Sequence, residues 1–154
     1  MRARKRIGLV AHDGRKQDLA EWVKYNEGTL SRHDLWATGT TGGMLEGVCP
    51  SLRITRLKSG PLGGDQQLGA MIAEERLDVL IFFTDPMTSQ PHDVDVKALM
   101  RLSTVYNIVL ALTRTTADFV IHSPLFNSGD YHPVRPDYAA YIRRNQPGES
   151  EARG

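Results

Sequence analysis

The sequence is poor in the features that mark secreted, membrane-spanning and nucleic-acid-binding chains. One cysteine, Cys49, among 154 residues excludes an internal disulfide and fits a reducing compartment. There is no excess of one charge: 19 basic residues face 18 acidic ones. No overall field therefore draws the chain to nucleic acid or to a membrane, and any anion has to be held by a local site. Long hydrophobic runs are missing as well. The longest unbroken central run is Val79 to Phe83, far short of the ~18 to 20 apolar residues of a membrane span. The basic N-terminus (Arg2, Arg4, Lys5, Arg6) precedes only Ile7 to Ala11 before His12 and Asp13 interrupt, too short a run for a signal peptide. Internal repeats and low-complexity tracts are absent. These absences predict a soluble, cytoplasmic protein with a small ligand, and the length suits one domain that buries roughly 70% of its unfolded surface.

What is present is an alternation of short apolar runs with longer stretches of helical spacing, the pattern of a parallel α/β domain. Residues 6–11, 33–37, 53–58, 78–83 and 107–112 read as strands, the fourth continuous enough to be buried on both faces. Residues 15–26, 65–76 and 94–106 read as helices, with Gly28 as the stop of the first, and 115–123 and 137–144 carry weaker helical patterns. The expected fold class is a three-layer α/β/α single domain over 1–146, with a mainly parallel, doubly wound five-stranded sheet. Pro124 to Pro136 reads as a surface loop and 147–154 as a disordered tail.

In an open parallel sheet, ligands bind beyond the carboxyl ends of the strands, and four of these ends carry chemical side chains. After the first strand come His12, Asp13 and Lys16; after the second, Thr38, Gly39, Thr40 and Thr41; after the third, Ser59-Gly60-Pro61-Leu62-Gly63-Gly64-Asp65; after the fourth, Thr84-Asp85 and then His92, Asp93 and Asp95. Glycine-rich loops that lead into helices present bare backbone N–H groups to an anion. The Thr38 to Gly43 segment adds three hydroxyls, and Lys16 can supply a point charge. An acid beside such an anion site, Asp65, can act as a general base on a phosphorylated substrate; Asp is equally at home as a helix cap. No Gly-Lys-Ser/Thr of a Walker loop and no Gly-x-Gly-x-x-Gly occurs here, which disfavours ATP and NAD. His12, His92 and the acids at 13, 65, 85 and 95 have the chemistry of divalent-metal ligands, but their spacing matches no standard zinc motif. Neither Cys49 nor any serine stands in a nucleophile elbow, and His33, His122 and His132 lie away from the strand ends.

Taken together, AHDGRKQ (11–17), ATGTTG (37–42), SGPLGGDQQLGAMI (59–72), IFFTDP (81–86) and PHDVDVKALMRL (91–102) resemble methylglyoxal synthase. The resemblance runs from about residue 5 to 145. It implies a cofactor-free cytoplasmic lyase that converts dihydroxyacetone phosphate to methylglyoxal and inorganic phosphate on a three-layer fold, as a homohexamer often inhibited by phosphate. By the same resemblance the catalytic base falls on Asp65 and substrate-binding positions fall on His12, Lys16, Thr38, Gly39, Thr40, Thr41, Ser59, Gly60 and His92. His92 would donate a hydrogen bond to the enediolate, and Asp13, Asp85 and Asp95 would be supporting catalytic acids; no metal is implied. Where the family has Ile-Pro and then Thr-Asn two residues on, this chain has Ile108-Val109 and Leu112-Thr113. A family arginine that reaches a neighbouring subunit's site aligns with neither Arg143 nor Arg144 without a shift. Two other readings fit part of the pattern: a triose-phosphate isomerase, which makes the same enediolate but retains phosphate, and a non-catalytic module like that at the end of carbamoyl-phosphate synthetase.

Overall fold

In the computed structural model, which describes residues 1–88 and 96–145, five strands pair in parallel in the order β3-β2-β1-β4-β5. The strands are β1 (Arg6–Ala11), β2 (Asp34–Ala37), β3 (Ile54–Arg56), β4 (Val79–Phe83) and β5 (Val109–Ala111). The helices are α1 (Lys16–Tyr25), α2 (Glu27–Leu30), α3 (Gly39–Val48), α4 (Gly64–Ala73), α5 (Val96–Val105), α6 (Arg114–Ile121) and α7 (Ala139–Asn145).

Strand alternation sorts the core into two layers, because successive side chains point to opposite faces. Ile7, Leu9 and Ala11 of β1 and Val79, Ile81 and Phe83 of β4 pack with Leu19, Trp22 and Val23 of α1, Leu45 of α3 and Ala117 and Ile121 of α6. Val10, Leu80 and Phe82 point the other way, onto Leu68, Met71 and Ile72 of α4 and Leu99 of α5. On that second face Gly8 leaves room for Leu80 and Leu68; a methyl there would come within 3.1 and 3.3 Å of them. The sheet is thus covered on both sides, as a parallel sheet of hydrophobic strands has to be.

The chain walks outward from β1 to β3 with helices on one face, returns to lay β4 on the other side of β1, and then runs outward to β5 with helices on the second face. The direction reverses between β1 and β4. That junction is where a doubly wound sheet opens a crevice beyond its carboxyl ends.

The sequence reading matches this architecture but misplaces several boundaries. Residues 39–43, expected as a loop before a helix, form the first turn of α3. Glycine and threonine are weak helix formers, and here packing prevails: Thr41 and Gly42 are buried and Gly42 sits against the Arg56 side chain. Gly28, expected as a stop, lies inside the single turn α2; the first helix ends at Asn26, whose Nδ2 donates to the Trp22 carbonyl at 2.9 Å. Asp65 is not a helix cap. Gly63 takes that place with φ +104°, a left-handed backbone that favours glycine, and α4 begins at Gly64. The outer strands are shorter than expected, since β3 and β5 each have three residues. No described helix is long and apolar enough to cross a membrane. The expected tail, 147–154, lies outside the described residues.

Candidate active site

The strand order gathers the loops after β3, β2, β1 and β4 side by side at one edge of the sheet, and a continuous series of contacts links them. Lys16, at the start of α1, reaches across to α3: its Nζ donates to Thr40 Oγ1 at 3.1 Å and pairs with Asp13 Oδ1 at 2.7 Å. The hydrogen bond and charge of Lys16 hold the Asp13 carboxyl below its ordinary range, so this acid stays ionised. The first N–H groups of α3 have no partner within the helix and carry the positive end of its dipole. A fixed ammonium beside such a helix start is suited to an anion of two charges.

Thr38 precedes α3 in an extended conformation. It and Thr41 are buried, with their hydroxyls 3.5 Å apart, while Thr40 is exposed. Gly39 donates its N–H to the Lys58 carbonyl at 3.3 Å and packs so closely on the third loop that a methyl would lie 3.1 Å from the Ser59 nitrogen. Ser59 and Gly60 open a single 3₁₀ turn, Gly60–Leu62, that leads to Gly63 and α4. Asp65 lies in the first turn of α4, half-buried. It borders a groove of about 390 Å³ with Gly69, Ala70 and Ala73 of α4 and Ala98, Leu99 and Leu102 of α5.

Across the topological reversal, His12 Nδ1 accepts the Asp85 N–H at 2.9 Å, and the His12 N–H donates to the Phe83 carbonyl at 3.1 Å. A backbone N–H can only donate, so Nδ1 has to be the bare nitrogen and the ring proton of the neutral imidazole sits on Nε2. The ring meets Phe82 edge-on, with centroids 5.0 Å apart. The Asp85 carboxylate accepts from the Met87 N–H at 3.0 Å and lies over Gly14, where a methyl would approach Oδ2 to 2.3 Å. Arg15 adds a bond from Nε to the Thr84 carbonyl at 3.3 Å.

The structure therefore brings His12, Asp13, Lys16, Thr38, Gly39, Thr40, Thr41, Ser59, Gly60 and Asp85 to one set of adjoining strand ends, with Asp65 on the helix that follows. His92, Asp93 and Asp95 lie outside the described residues. Among the described residues no group of three or more His, Cys, Asp or Glu is placed to hold a metal ion. The divergent Thr113 caps α6 by accepting the Thr116 N–H at 3.2 Å, and the Leu112 carbonyl accepts from Thr84 at 3.4 Å. Arg143 and Arg144 lie in α7, with Arg144 5.7 Å from the Tyr141 ring centre. A cavity of about 570 Å³ lined by Arg4, His33, Asp34, Arg53 and Thr55 opens at the opposite, amino end of β2 and β3 and contains none of the residues selected from sequence. Gly14 and Gln67, which shape the loops, were not singled out from sequence; their contacts join segments whose proximity no local pattern announces.

A doubly wound parallel domain with a polar cluster at the carboxyl ends of its strands is the class that fold and site define. Residues 18–112 match the model of the MGS-like domain. A methylglyoxal synthase of Oleidesulfovibrio alaskensis is 56% identical over 144 residues, covering 94% of this chain and 97% of that protein. One from Proteus mirabilis is 54% identical, with 90% of each chain covered. The crystal structure of methylglyoxal synthase from Elizabethkingia anophelis superposes with a TM-score of 0.90 at 50% identity, over 96% of this chain and 95% of that one. The chain belongs to the methylglyoxal synthase family.

Proposed function

We propose that this protein is a phosphate-eliminating lyase that converts dihydroxyacetone phosphate to methylglyoxal and inorganic phosphate, with Asp65 as the general base. The observation that carries the reading is the Lys16 bridge: one ammonium tied to Asp13 and Thr40, at a helix start that adjoins the Ser59–Gly60 loop. It supports a phosphate seat next to the helix that bears the acid. The names of the relatives, at more than half identity over nearly the whole chain, support the reaction.

Asp65 takes a proton from the hydroxymethyl carbon, and the electron pair left behind forms an enediolate with the neighbouring carbonyl. His92 and the Nε2–H of His12 donate to the developing oxyanion; one such donor is worth about 3 to 4 kcal/mol where measured. The hydroxyl carbon then becomes the aldehyde as it loses its O–H proton, and the double bond shifts to the methylene carbon. Phosphate leaves with the C–O pair, and protonation of the resulting enolate at that carbon gives methylglyoxal. Departure requires the C–O bond to stand perpendicular to the enediolate plane, a torsion held by Lys16, Thr40 and the N-terminus of α3. Asp13, Asp85 and Asp95 support this set: Asp13 by fixing Lys16, Asp85 through its backbone N–H, which donates to the His12 ring.

A cytoplasmic homohexamer inhibited by phosphate belongs to the same proposal. The exposed apolar side chains Val134, Tyr141 and Ile142, at 79, 58 and 54%, are surface that such an assembly would cover.

The test is incubation with dihydroxyacetone phosphate. The lyase releases methylglyoxal and phosphate in equal amounts. Glyceraldehyde phosphate without phosphate release would instead establish an isomerase, and an inert protein that still binds the substrate would establish a regulatory module.

A further inference from the structure

Lys58, two residues past β3 and directly before Ser59, spends its two backbone groups on two different helices. Its N–H donates to the side-chain Oε1 of Gln67 in α4 at 2.7 Å, and its carbonyl accepts the Gly39 N–H at the start of α3 at 3.3 Å. Gly64 and Gly39 press on this stretch from both sides. A methyl on Gly64 would fall 1.9 Å from the Lys58 carbonyl oxygen, and one on Gly39 would fall 3.1 Å from the Ser59 nitrogen. Backbone meets backbone at both places, so neither contact can yield without moving the loop.

We propose that Gln67 is a positioning residue that, through the Lys58 backbone, holds the phosphate-binding start of α3 and the Asp65-bearing start of α4 in one register. Gln67 does not touch substrate; it acts on the strut between the two halves of the site. The proposal rests on the lyase reading, in which one half holds the phosphate and the other removes a proton. Misplacement by about 1 Å between such halves costs on the order of 100-fold in rate, so a loosened strut is read in kcat.

Two variants separate this role from simple packing. Gln67→Met keeps the length of the side chain and loses the acceptor; Gln67→Glu keeps an acceptor oxygen at the same reach. In Gln67→Met, NMR hydrogen exchange at the Lys58 amide speeds up about tenfold, as expected for loss of one hydrogen bond of ~1.4 kcal/mol. The Leu57 amide, which donates to the Ala37 carbonyl at 2.8 Å, stays as protected as before. With dihydroxyacetone phosphate, kcat of Gln67→Met falls about tenfold while KM changes less than threefold, the pattern of an interaction expressed in the transition state, and Gln67→Glu restores both readouts to within threefold. Unchanged Lys58 exchange or unchanged kcat in Gln67→Met overturns the proposal, as do equal losses in the Met and Glu variants. A wild-type protein that does not turn over the substrate sinks the lyase reading instead, and the exchange measurement alone then decides the strut.

Discussion

His12 and Asp85, 73 residues apart, are joined by one bond: the Asp85 N–H donates to His12 Nδ1 at 2.9 Å. The bond spans the point where the sheet reverses direction, and it assigns the proton of the neutral ring to Nε2. His12→Asn keeps an acceptor near the Nδ1 position and removes the distal donor. We expect it to fold normally and to lose about 100-fold in kcat, the low end for removal of one oxyanion donor. Nitrogen chemical shifts of the neutral wild-type ring will show the proton on Nε2; a proton on Nδ1 contradicts the geometry.

Lys16 lies between Asp13 and Thr40, so its removal leaves an ionised acid facing an incoming phosphate. Lys16→Ala is expected to raise KM for dihydroxyacetone phosphate by at least ~10-fold, and to weaken inorganic phosphate binding in calorimetry by a similar factor, as loss of a charged hydrogen bond of about 1.5 to 3 kcal/mol implies. A fall in kcat with KM intact would move the role of Lys16 from binding to the transition state. Asp13→Asn removes the pairing that fixes Lys16 and is expected to have a smaller effect on KM.

Acid should lower the stability of the fold in two pH windows, and two groups at the amino ends of the strands say why. His33 is buried, accepts the Lys5 N–H at 2.9 Å and packs edge-on against Phe126. Burial lowers its pKa first of all; the Asn127 side chain opposes this, and the charges of Lys5, Arg4 and Arg32 add to the lowering. Its folded value lies below the unfolded one of about 6.5, so its contribution is present above that pH and is lost as pH falls through it. Asp78 is also buried. Burial pushes its pKa up, but hydrogen bonds from the Arg6 backbone and guanidinium and the charge of Arg6 together outweigh burial and leave it lowered. Its contribution is present above about pH 3.9 and is lost below it. Denaturant melts from pH 7.5 to 5 should show stability falling by at most about 1.4 kcal/mol per pH unit for one proton, with His33→Gln flattening that fall. A flat wild-type curve contradicts the assignment.

Much of this was legible in the sequence because the physics involved is local. Val79 to Phe83, a bare apolar run, reads as a strand buried on both faces, and the Leu19, Trp22, Val23 stripe reads as a helix packed by one face. The boundaries that failed were those set by tertiary contact. Gly39 to Gly43 has the composition of a turn and becomes helical because Gly42 has to lie on Arg56 and Gly39 on Ser59. Asp65 looks like a cap, yet Gly63 takes that place because the chain turns left-handed there. The junction between β1 and β4 was invisible, since nothing near His12 announces that Asp85 will be its partner, and nothing near Gln67 announces Lys58. Sequence supplied the chemical groups at the strand ends; the strand order decided which of them became neighbours.

The account turns on Asp65 as the group that takes the proton. The most direct measurement is the turnover of Asp65→Asn with dihydroxyacetone phosphate, followed by release of both methylglyoxal and phosphate, alongside a thermal melt of the same sample. The account predicts that both products fall together by at least ~100-fold, the low end of a general-base contribution, while the melt stays within a few degrees of wild type. Near-normal release of both products from the folded variant would contradict it.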